Sequence, residues 1–157
     1  MGSVEMTVRD LDALAETLTG LFGYTEVSRT NLEGVFQSVE GEVFGEIVAV
    51  KQDGPAEKPG RGSVHHLAIR VQDDEALAYW EERVRAWGFQ TAGVVDRYYF
   101  KSLYFKETNG IVFEMATDVP GFSIDGDEAT LGERLDLPPF LEGRRKEIER
   151  TLTPFFE

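Results

Sequence analysis

Hydrophobic and polar residues alternate in Val4-Glu5-Met6-Thr7-Val8-Arg9, the period of a half-buried strand. The acidic turn Asp10-Leu11-Asp12 follows. Ala13-Leu14-Ala15 then opens a helical segment that ends at Gly23-Tyr24. Glycine suits the left-handed residue just past a helix end. Three strand-like runs come next: Thr25 to Thr30, Gly34 to Glu40 and Glu46 to Lys51, with Asn31-Leu32-Glu33-Gly34 as a turn. The same succession then returns. Gly62-Ser63-Val64 repeats Gly2-Ser3-Val4 at an offset of 60 residues. Val64 to Val71 reads as the strand, Asp73-Asp74-Glu75 as the acidic turn, Ala76-Leu77-Ala78 as the helix start and Gly88-Phe89 as its end. The strands of this second copy are Gln90 to Arg97, Tyr98 to Lys106 and Ile111 to Thr117. Thr108-Asn109-Gly110 reads as a hairpin turn, because Asn-Gly tolerates the positive φ such turns need.

The pattern predicts an α+β fold of two βαβββ modules forming a curved, cup-like mixed sheet. Residues 1–51 make the first module, 52–61 an exposed connector rich in glycine and proline, and 62–118 the second. Residues 119–157 form a tail without counterpart in the first copy. Pro120-Gly121-Phe122 breaks the last strand, and the acidic stretch Asp125 to Asp136 has room for a short helix. Pro138 to Leu152 reads as a helix with prolines in its first turn, where the missing N–H costs little. Its Arg144, Arg145, Lys146 and Arg150 alternate with Glu147 and Glu149, the mark of a solvated face.

Composition narrows the function classes. The chain has 157 residues, of which 41% are hydrophobic, enough for one packed core. It has no cysteine, which excludes disulfides, zinc–thiolate sites and cysteine nucleophiles. A net charge of −13 argues against general binding to nucleic acid or to an anionic membrane. No apolar run is long enough to span a bilayer and no secretory pattern is visible, so a cytoplasmic location is expected. The only histidines are adjacent, His65 and His66, so any imidazole chemistry uses that dipeptide.

If residues 63–71 form a strand, His66 shares a face with Val64, Ala68 and Arg70, while His65 points away. One of the two is then expected to bind and its neighbour to donate a hydrogen bond from the side. Glu114 lies inside the apolar run Ile111-Val112-Phe113-Glu114-Met115-Ala116, where a carboxylate needs a cation or hydrogen-bond donors. A salt bridge to Arg97 or Arg70 would satisfy it. So would a metal, because imidazole and carboxylate are the ligand types of a two-histidine, one-carboxylate site for non-haem Fe(II). The stretch Arg97 to Phe105 is dense in aromatics. It reads either as an ordinary strand with core and rim faces or as an aromatic substrate slot.

These features together resemble the vicinal oxygen chelate (glyoxalase/bleomycin resistance/dioxygenase) superfamily. The second half resembles the C-terminal end of hydroquinone-type ring-cleaving dioxygenases. The likeness is carried by Ser63 to Val71, Val95 to Phe105, Gly110 to Asp118, Leu131-Gly132-Glu133 and Leu137 to Glu142. The resemblance implies that His66 and Glu114 are metal ligands, and that His65, Arg97 and Tyr104 orient the substrate hydroxyl and oxygen. It implies Fe(II), or Mn(II) in some relatives, O2 as co-substrate and a small hydroquinone- or catechol-like substrate.

Those dioxygenases have four such modules and take a further histidine ligand from the first. Here the first copy shows Glu5 and Met6 opposite His65 and His66, and Val50 opposite Glu114. The chain is therefore expected to be the C-terminal half of a longer enzyme, needing an N-terminal half or a second subunit and forming a homo-oligomer when isolated. Two other readings are a glyoxalase-like metalloenzyme assembled by dimerisation and a metal-free module that binds an aromatic or drug-like ligand.

Overall fold

The computed structural model describes residues 2–39, 44–55 and 57–153. The expected strand end at Glu40, Ala56 in the connector and the chain's last four residues lie outside them. The first module runs β1 (Val4–Val8), α1 (Leu11–Glu16), β2 (Thr25–Arg29), β3 (Glu33–Gln37) and β4 (Ile47–Lys51). The second runs β5 (Leu67–Val71), α2 (Asp74–Ala86), β6 (Val94–Asp96), β7 (Lys101–Lys106) and β8 (Val112–Thr117). The expected βαβββ succession is present twice, in two four-stranded sheets ordered β1-β4-β3-β2 and β5-β8-β7-β6. In each, the first strand lies parallel to the last and the others are antiparallel.

Both helices begin on an aspartate whose carboxylate accepts from the backbone three residues on, Asp10 from Ala13 and Asp73 from Ala76. Gly23 and Gly88 take φ of 77° and 85°, as the helix ends require. After Glu16 the first helix widens into a π turn over Thr17–Leu21, closed by Phe22 N–H donating to Thr17 O at 3.2 Å.

The caps, helix starts and first strands superpose the copies at a spacing of 63 residues. The first-strand offset of 60 is therefore corrected. Val4 pairs with Ile47 as Leu67 pairs with Phe113. The counterparts of His65, His66 and Glu114 are then Gly2, Ser3 and Val48, not Glu5, Met6 and Val50. The first module still supplies no imidazole or carboxylate at those places.

Alternation sends Met6, Val8, Phe36, Ile47 and Ala49 to the helix side of the first sheet. Val71, Leu103, Phe105, Phe113 and Met115 go to the helix side of the second, and all of these join one core. Phe22 bridges the modules, its ring centroid 5.0 Å from that of Phe113 and 5.5 Å from that of Trp80. Arg83 of α2 donates to Leu21 O and Gly20 O at 2.8 and 2.7 Å, satisfying carbonyls at the end of the first helix. Asn109, at the tip of the β7–β8 turn, accepts from the N–H groups of Arg9 and Asp10 and donates to Asp10 O. Gly110 has φ of 92°, as the Asn-Gly turn requires.

The tail departs from a single helix. Residues 122–124 and 128–130 form 3₁₀ turns, and two short helices follow, α3 (Pro139–Glu142) and α4 (Arg145–Thr151). The expected helix breaks at Gly143-Arg144. No helix among the described residues is long and apolar enough to cross a membrane.

Candidate metal and substrate site

The parallel pairing of β5 with β8 begins at Leu67–Phe113, so the strand expected from Ser63 starts four residues later. Val64 is 84% exposed and the two histidines occupy the approach to the strand. Their directions follow from this approach rather than from strand alternation. His66 Nε2 lies 2.7 Å from Glu114 Oε2. His65 Nδ1 lies 2.8 Å from His66 Nδ1, with the rings edge to face. With neutral rings, one arrangement satisfies both contacts: His65 donates to His66, and His66 donates to Glu114.

Glu114 faces away from the helices, level with Ala68 on one side and Tyr104 on the other. It is buried, and neither Arg97 nor Arg70 pairs with it. Arg70 is bound to Asp118, and the Arg97 guanidinium sits 5.3 Å from the centroid of the Tyr104 ring. The salt-bridge expectation for Glu114 is thus replaced by the imidazole contact. Its second oxygen, Oε1, is buried without a hydrogen-bond partner. An acceptor removed from water and left unpaired costs free energy, so its presence calls for another explanation. The Tyr104 ring meets His66 edge-on at 5.6 Å. Beyond the short strand β6, a cleft of about 270 Å³ opens against Tyr104, Lys106 and Val112.

All five residues singled out in the sequence form one linked cluster: His65 on His66, His66 on Glu114 and Tyr104, and Arg97 on Tyr104. Among the described residues, no set of three or more metal-ligating side chains converges anywhere. His66 and Glu114 suit a divalent metal in donor type and proximity, and Oε1 is free to join them, but they are two ligands rather than three.

Sequence reasoning passed over the surroundings of Arg97. The aromatic stretch is not one strand, since residues 97–100 form a turn before β7, with Arg97 N–H donating to Phe100 O at 2.8 Å. Tyr98 has φ of 71°, which is uncommon for a residue with a side chain. Its hydroxyl donates to Asp125 Oδ1 at 2.7 Å. That bond, with some burial, pushes the Tyr98 phenol up to about 12. The acidic stretch containing Asp125 gave no signal that one of its carboxylates turns inward.

Residues 1–115 match the Glyoxalase/Bleomycin resistance protein/Dioxygenase superfamily. The chain belongs to that superfamily. It is 46% identical, over 98% of its length, to the Putative ring-cleaving dioxygenase MhqA of Bacillus subtilis (strain 168), covering 51% of that protein. Over 59% of its length it is 33% identical to the chlorohydroquinone/hydroquinone 1,2-dioxygenase of Sphingobium indicum, covering 29% of it. A crystal structure of a putative dioxygenase from B. subtilis superposes on 98% of the chain with a TM-score of 0.86 at 33% identity, covering 49% of that molecule. The chain thus spans about half the length of the curated relatives it matches.

Proposed function

We propose that this superfamily member carries one part of the metal and substrate site of a dioxygenase that opens small hydroquinone- or catechol-like rings. The observation that carries the reading is the His66–Glu114 pair with its unpartnered buried Oε1, since a bound cation would satisfy that oxygen. His66 and Glu114 would hold Fe(II), or Mn(II), with a third ligand from outside these modules, because Ser3 and Val48 stand where the first module would offer one. When bound, such a metal would supply Lewis-acid and redox chemistry toward a phenol and O2.

The chain's own residues would do the rest. Tyr104 would present its hydroxyl beside the pair, within reach of a substrate oxygen. His65, hydrogen-bonded to His66, would hold that ring's orientation and offer an imidazole to move a proton. Arg97 would place a fixed cation where the ring becomes anionic. The similarity to a hydroquinone dioxygenase supports the substrate class.

The test is metal content after purification without chelator, followed by oxygen uptake with hydroquinone, with and without the N-terminal half of a relative such as MhqA. Weak metal binding and little uptake are expected from the 157-residue chain alone, and a gain in both when the other half is added. His66→Ala should abolish metal. His65→Ala should keep it, weakened by no more than about 10–100-fold, while losing turnover in the complemented enzyme. Full uptake by the chain alone would overturn the shared-site reading. A chain that binds hydroquinone equally well with and without metal would instead be a binding module.

A further inference from the structure

The 97–100 turn holds Tyr98 in the left-handed region, where a side chain is disfavoured and something must hold it. The holding contacts come largely from the tail. The Tyr98 hydroxyl reaches Asp125, and its ring meets Phe140 edge-on at 5.9 Å. Next to it, Gly121 N–H donates to Tyr99 O at 2.8 Å, and the Tyr99 ring stacks on Phe122 at 5.0 Å. Closer in the chain, Asp96 at the end of β6 accepts from Tyr98 N–H, and the Tyr99 ring meets that of Tyr98 edge-on at 5.0 Å. The residue before the disfavoured one is Arg97, and its direction depends on the peptide that Tyr98 fixes.

We propose that Tyr98 and Asp125 are positioning residues, through which the tail keeps the 97–100 turn in the form that lays Arg97 over Tyr104. This rests on the proposed function for its purpose, but its geometry stands apart from the metal. If Tyr98 loses its anchor it relaxes to negative φ, the peptide following Arg97 turns, and the guanidinium leaves the ring. The tail of a module pair that lacks one ligand thereby still shapes the substrate side of the site.

The experiment uses the whole chain labelled for arginine Nε–Hε NMR, with Mn(II) affinity read in parallel from water proton relaxation. In the wild type, the Arg97 Hε signal should be displaced upfield by the Tyr104 ring and show a nuclear Overhauser contact to it. Tyr98→Phe, which keeps the ring, and Asp125→Ala should each reduce the displacement and weaken the contact. Asp125→Asn, whose amide oxygen still accepts from the phenol, should retain both. Mn(II) affinity should stay within twofold of wild type in every variant, because His66 and Glu114 are held elsewhere. An Arg97 signal undisturbed in Tyr98→Phe and Asp125→Ala overturns the inference, as does equal loss in Asp125→Asn and Asp125→Ala. A wild type that binds no Mn(II) even with the N-terminal half of a relative added, but whose Arg97 responds as described, overturns the metal reading and supports the positioning role.

Discussion

Tyr98 has a measurable consequence of its own. Its phenol ordinarily titrates near 10 and is raised to about 12 in the fold, chiefly by the hydrogen bond to Asp125. Between those values the unfolded chain has lost the proton and the folded chain retains it. Stability is therefore whole below pH 10 and declines as pH rises through 12. Tyr24 and Tyr99 are raised in the same direction and add to the slope. In urea titrations across this range, Tyr98→Phe should fall less steeply than wild type, and identical slopes would refute the assignment. At this scale the sequence was informative about chemical type and less so about direction. His66 and Glu114 were visible because an imidazole and a carboxylate stand out among apolar neighbours, and Arg97 and Tyr104 because the family resemblance points to them. Asp125 was hidden among other acids, and Tyr98 among other aromatics, because neither backbone sign nor partner is written in composition.

Among the elements, the π turn after α1 meets the end of α2 at Gly20 and Trp87. A methyl group on Gly20 would lie 2.2 Å from a ring atom of Trp87 and 2.8 Å from another. Alanine normally favours a helix over glycine by about 0.5–1 kcal/mol, but overpacking costs about 1–3 kcal/mol. Gly20→Ala should therefore destabilise by about 1–2 kcal/mol, read from urea midpoints. The loss should shrink when Trp87→Leu opens the space, as a double-mutant cycle would show. Arg83→Ala should cost about 1.5–3 kcal/mol by leaving the Gly20 and Leu21 carbonyls without their charged donor. Element order was legible because glycine ends, aspartate caps and alternation recur at matching intervals. Element edges were not. Ser63 to His66 read like a strand but make no ladder pair, since the pairing with β8 begins only at Leu67–Phe113. Gly93, at φ of 91°, keeps the segment before Val94 off β7.

For the whole molecule, the sequence implied two modules but not how firmly they are joined. Their buried side chains form one cluster, with Phe22 seated among Trp80, Phe105 and Phe113. A shared core of this kind predicts one cooperative unfolding transition, with tryptophan fluorescence and far-UV circular dichroism changing together. Both tryptophans, Trp80 and Trp87, belong to the second module, so early loss of the first would separate the two signals. The two-ligand set of the proposed site is the other property at this scale. Packing needs only apolar area, which both modules supply, whereas the proposed coordination needs particular atoms, which among the described residues only His66 and Glu114 offer.

Asn109 is followed by Gly110, the neighbour that most readily lets a backbone nitrogen attack an asparagine side chain and expel ammonia. Here the side-chain amide is engaged by Arg9, Asp10 and Glu107, and the attacking Gly110 N–H donates to Glu107 O. The folded chain is thereby guarded against chemical ageing at this turn, and the unfolded chain is not. Once formed, an aspartate there would set a second carboxylate against the buried Glu107. Each excursion out of the fold thus exposes the molecule to a slow, irreversible mark on the link between its two modules. The abundance of that mark in a stored sample would record how long its molecules had spent unfolded.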